Sequence, residues 1–72
     1  MDKTAKQQTI YDCLIKIWPG GLMPRVEAKK SGLIAPKTLA NADSLGIGPE
    51  RLIVAGHIVY PVKPLSEWLA VK

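Results

Sequence analysis

Lys37, Asn41 and Ser44 fall four and three residues apart, with Thr38 beside the first of them, a spacing that sets the four side chains along one flank of a helix. Each can donate a hydrogen bond and three can also accept one, which is the chemistry that reads base edges in a nucleic-acid groove. Asn41 has the paired donor and acceptor that match an adenine edge, a contact worth about 1–3 kcal/mol of discrimination. Lys37 can reach a guanine edge or a phosphate. It stands in a first helical turn, where a cation opposes the helix dipole, so helix stability does not explain it. Thr38 and Ser44 can also serve by satisfying nearby backbone groups. Arg25, Arg51 and Lys63 are candidates for phosphate contact, and His57 for contact with a minor groove.

Catalysis finds no comparable pattern. Asp2, Asp12, Glu27, Asp43, Glu50 and Glu67 are scattered, and no two share a helical stripe as a paired acid and base would require. Cys13 and His57 could be paired on paper as nucleophile and base, but the periodicity puts Cys13 inside an apolar arc, where a thiol is inert. One Cys and one His cannot fill a metal site of three or four ligands. The expectation is a binding protein with no catalytic residues, metal or cofactor.

The polar flank needs a helix to carry it. Pro36 suits a first helical position and Gly46 the residue just past a helix end, while Leu39, Ala42 and Leu45 recur between them at helical spacing. This segment is read as a DNA recognition helix. Ahead of it, Met23-Pro24-Arg25 is expected to open another helix, in which Val26, Ala28 and the aliphatic stem of Lys30 meet the recognition helix and Ser31-Gly32 ends the run. Two such helices joined by the apolar turn Gly32-Leu33-Ile34-Ala35 form a helix-turn-helix, with Leu33 or Ile34 plugging the core.

Thr4 and Gln7 have the form of a capping box for a first helix from Lys3 to Trp18. On its wheel Cys13, Ile17, Ile10, Leu14, Trp18, Tyr11 and Ile15 sweep an arc of roughly 200°. So wide an arc is either clamped between two parts of its own domain or left in part for self-association. Arg51-Leu52-Ile53-Val54 and Ile58-Val59-Tyr60, separated by Ala55-Gly56-His57, read as a hairpin. A hairpin directly after a recognition helix is a wing. Pro61 and Pro64 end it and start a last helix, with Leu65, Trp68 and Leu69 as its seam; Trp18 and Trp68 are expected to pack the core.

A chain of 72 residues makes one domain and buries only about 60% of its unfolded surface, which leaves little room for a large cleft. Its net charge of +4 biases it toward polyanions. The single cysteine allows no internal disulfide and fits a reducing compartment, so a cytoplasmic location is expected. The first residues lack the apolar run of a secretory signal, and no stretch approaches the roughly 20 apolar residues of a membrane span.

Leu39-Ala40-Asn41, then Gly46-x-Gly48-Pro49, a hairpin ending in Val59-Tyr60, and Leu65-x-x-Trp68-Leu69 together resemble the excisionase family of phage and mobile-element DNA-binding proteins, which share a helix-turn-helix and wing with the MerR-like winged-helix group. The resemblance covers roughly Leu22 to Leu69. It implies a protein that sets its second helix in the major groove of double-stranded DNA and its wing against the backbone or minor groove. Such proteins bend DNA, often in cooperative arrays of self-associating copies. They help a tyrosine integrase excise an element, or regulate its promoters. The chain departs from the family at the wing tip, where Ala55-Gly56-His57 replaces basic residues, and at Ala42, where a larger apolar residue is common.

The expected architecture is therefore α+β and mainly helical: one domain over 1–72, a winged helix-turn-helix core over 22–72 with a two-stranded hairpin wing, and an added N-terminal helix over 1–21. The rival reading is a protein-interaction adaptor that uses the wide apolar face of that first helix.

Overall fold

A computed structural model describes residues 3–71, with side chains from 5 to 71. Helix α1 runs Lys3–Ile17, and the Trp18 N–H still donates to the Leu14 carbonyl at 2.9 Å as the chain turns away. The side chain of Thr4, half of the expected capping box, lies outside the described residues. Of the apolar arc, Leu14 and Trp18 are buried, and Ile10 and Tyr11 pack half-buried against the same core. Cys13 and Ile17 are exposed, which corrects the expectation of a shielded thiol. Helix α1 is covered by the last helix and by the segment after residue 24, and neither reaches the flank that Cys13 and Ile17 occupy.

The Pro19-Gly20-Gly21 break leads into a strand and not into a helix start. Strand β1 (Leu22–Pro24) pairs antiparallel with β3 (His57–Pro61), placing Met23 opposite Tyr60, and β2 (Leu52–Val54) pairs with the other edge of β3. The expected two-stranded hairpin is thus two-thirds of a three-stranded antiparallel sheet ordered β1-β3-β2. Met23 and Tyr60 are fully buried partners, and an edge strand tolerates Pro24 without its N–H.

Arg25–Ser31 then forms the expected short helix, which is of the 3-10 type and starts after the strand and not at Met23. Its three-residue period stacks Arg25, Ala28 and Ser31 on the inner row, all shielded to some degree, and turns Val26 out to 80% exposure. Val26 therefore does not meet the next helix, whereas Ala28 is wholly buried, as a close crossing requires.

Helix α2 spans Pro36–Ser44, with proline in its first turn and no side-chain cap at Ala35. It ends in a Schellman motif: Gly46 at φ 76° donates to the Asp43 carbonyl and Ile47 to the Ala42 carbonyl, at 3.1 and 3.0 Å. Leu39 and Ala42 are buried. Leu45, counted on the same stripe from sequence, lies past the last turn and is 73% exposed. Ile34, and not Leu33, packs on the core from the preceding turn.

Helix α3 (Val62–Ala70) lies along α1 and buries Val62, Leu65, Ser66 and Ala70. The core joins Leu14, Trp18, Met23, Ala28, Leu39, Tyr60, Val62 and Leu65. Both indoles find acceptors, Trp18 at Glu27 Oε1 (2.9 Å) and Trp68 at the Ile47 carbonyl (2.8 Å), as rings packed with one polar end require. The chain is a small α+β unit, mainly helical, and no helix among the described residues is long and apolar enough to cross a membrane.

Candidate nucleic-acid interface

Helix α2 divides cleanly into two faces. Leu39 and Ala42 fix it to the body, and Lys37, Thr38, Asn41 and Ser44 all stand exposed on its other side. Lys37 makes no ion pair among the described residues. Because Ala35 supplies no side-chain cap and Pro36 has no N–H, the Lys37 and Thr38 amides begin the helix without a capping side chain, the polarity that favours an anion. Lys29 and Lys30 stand exposed at the end of the 3-10 helix, just before the turn into α2. Sequence reading left Lys29 out and gave Lys30 only an aliphatic stem packed on the next helix, whereas Lys30 stands in solvent with its ammonium 3.8 Å from Glu27 Oε1. Their nearness to the Gly32 turn was the signal.

The one acid of α2 is turned the opposite way. Asp43 has a side chain only 6% exposed. Its Oδ2 accepts from the Tyr60 hydroxyl at 2.6 Å and from Arg25 Nη2, while Arg25 Nε donates to the Tyr60 oxygen at 3.0 Å. The Arg25 guanidinium lies 5.9 Å from the Tyr60 ring centroid. Arg51 Nη1 stands 3.4 Å from Asp43 Oδ1, an atom that is buried and has no hydrogen-bond partner among the described residues.

This cluster shapes its own titration. Burial, and then the Asp43 carboxylate accepting from the phenol, push Tyr60 above the ordinary tyrosine range against the opposing effect of Arg25. The hydrogen bond to Tyr60 holds Arg25 above its usual value, helped by Asp43 and opposed by burial.

The expected phosphate contacts thus fall into different settings. Arg25 points inward with 23% of its side chain exposed, bound to Asp43 and Tyr60, unlike the solvent-facing cation expected from sequence. Arg51 is half in and half out, at 46% exposure. Lys63 is exposed in the first turn of α3, and His57 is exposed as the first residue of β3, not as part of the turn. The turn itself is Ala55-Gly56, and β2 carries Leu52, Ile53 and Val54 exposed with no cation among them. The Asp43 hub was hidden in the sequence because its partners lie 18, 17 and 8 positions away, outside the helix that carries Asp43.

No group of three or more His, Cys, Asp or Glu side chains able to hold a metal occurs among the described residues. No family model, no characterised protein and no solved structure matches this chain.

Proposed function

We propose that this chain is a sequence-specific DNA-binding and DNA-bending protein of the excisionase type, built as a winged helix-turn-helix without catalytic residues of its own. In this reading the 3-10 helix and α2 form the helix-turn-helix, and α2 enters the major groove. The β2–β3 hairpin is the wing. The protein acts in the cytoplasm, beside a tyrosine integrase during excision of a mobile element or at that element's promoters.

The observation that carries the reading is the outward face of α2. It offers Lys37, Thr38, Asn41 and Ser44 to solvent, and its single carboxylate is withdrawn and neutralised underneath. A helix that must approach phosphates gains from hiding its acid. The adaptor reading needs a free apolar face on α1, and the core already occupies most of that face through Leu14, Trp18, Ile10 and Tyr11. What it leaves exposed is the flank of Cys13 and Ile17.

Fluorescence anisotropy with labelled duplex DNA at two salt concentrations tests the proposal. Wild-type protein should bind more weakly at higher salt, and Lys37→Ala should weaken binding to all duplexes. Asn41→Ala should lose about 1–3 kcal/mol of preference for a selected site. Binding that is absent, or indifferent to salt, overturns the proposal.

A further inference from the structure

Four chain segments converge on the Asp43 carboxylate. Tyr60 comes from β3, Arg25 from the 3-10 helix, and Arg51 from the position just before β2. The fourth is the loop after α2: a Cβ placed on Gly48 would collide with Asp43 Oδ1, so only a glycine lets that backbone close over the carboxylate. Apolar packing holds buried elements together at least as well as an ion pair does. What a planar guanidinium on a carboxylate adds is direction.

The charges do not cancel. One carboxylate faces two guanidiniums, which leaves one positive charge over the three groups. Arg25 makes hydrogen bonds inward, whereas Arg51 meets Asp43 only by the 3.4 Å ion contact and keeps 46% of its side chain in solvent. The uncompensated charge therefore resides on the more exposed partner.

We propose that Asp43 is the positioning residue of the DNA-reading surface: from beneath α2 it sets the angle between α2 and the β2–β3 hairpin and aims the outer N–H groups of Arg51 at a phosphate of the duplex that α2 reads. This rests on the DNA-binding reading above and adds a residue that touches no DNA itself. Arg51 becomes a directed contact instead of a general surface cation.

The test uses the full chain, a duplex that wild-type protein selects from a randomised pool, and an unrelated duplex of equal length. Asp43→Asn keeps the shape of the side chain and removes its charge. It should bind the unrelated duplex at least as tightly as wild type, because a negative charge has gone, while preference for the selected duplex falls about tenfold. Arg51→Lys, at a partly exposed position, should keep the salt slope and lose a similar share of preference, since an ammonium cannot keep one N–H group toward the carboxylate and others toward a phosphate in the fixed plane of a guanidinium. Asp43→Asn combined with Arg51→Lys should lose no more than either alone.

If Asp43→Asn stays folded and discriminates as well as wild type, or if Arg51→Lys does, Asp43 holds the fold only and the inference is overturned. Should Asp43→Asn fail to fold, Arg51→Lys decides the matter by itself. A wild-type chain that selects no duplex overturns this inference and the DNA-binding reading together, whereas selection with both variants unchanged overturns this inference alone.

Discussion

Tyr60 shows how much one hydroxyl can be asked to do in a core this small. Its ring is fully buried opposite Met23, and its oxygen donates to Asp43 and accepts from Arg25. Removing the oxygen takes a donor from a buried carboxylate that already has one oxygen without a hydrogen bond, so Tyr60→Phe should cost about 1.5–3 kcal/mol, read as a lower midpoint in urea. The same residue sets a pH dependence. Its folded pKa lies above the ordinary value, so above about pH 10 the unfolded chain gives up the phenol proton while the folded chain keeps it. The unfolded state then binds fewer protons, and stability falls as pH rises through that range. Thermal melts from pH 8 to 11 should show a steeper loss for wild type than for Tyr60→Phe. Equal slopes would mean that the phenol is not held neutral by its site.

The tight turn of the hairpin departs from its expected form for a reason that lies within the element. Ala55 and Gly56 both adopt positive φ, 52° and 80°, the signature of a two-residue type I′ turn that matches strand twist. Asparagine-glycine suits this turn, whereas a Cβ at positive φ without a polar group to compensate costs about 1 kcal/mol. Ala55→Asn should therefore stabilise the protein by about 0.5–1 kcal/mol and raise its melting temperature by a few degrees. A lower melting temperature would show that the turn does not need this conformation. Sequence marked the hairpin by its β-branched residues but counted His57 in the turn, because only the backbone shows that two residues close it. It marked α2 well, since Pro36, Gly46 and the Leu39–Ala42 spacing all act within one element. Strand β1 escaped notice: three residues ending in proline carry no period, and they become a strand only because β3, some 37 positions later, offers an edge. The long-range Asp43 cluster escaped for the same reason, as pairing across elements leaves no local trace.

The molecule's net charge of +4 matters for binding only through where its cations stand. Lys29 and Lys30 precede the turn into α2 and Lys37 follows it, Lys30 with only a loose 3.8 Å contact to the Glu27 carboxylate, while Arg51 and Lys63 are exposed just before β2 and in the first turn of α3. In the proposed complex these five meet phosphates, and counterion release then gives a slope of log K against log salt of about −4.5 on a non-specific duplex. Arg25 carries the same formal charge and should not count, because Asp43 already neutralises it and its guanidinium faces inward. Lysine-to-alanine changes at Lys29 and Lys37 should each make the slope shallower by about one, and Arg25→Ala should lower the melting temperature. Lys16, exposed on α1 away from the 3-10 helix–α2 unit in sequence, should affect neither slope nor melting temperature when changed to alanine. Anisotropy titrations across a tenfold range of salt measure every one of these slopes. A slope that depends equally on Lys16 and Lys37 would mean that the duplex sees total charge and not an oriented face, and α2 would lose its assigned place in the groove.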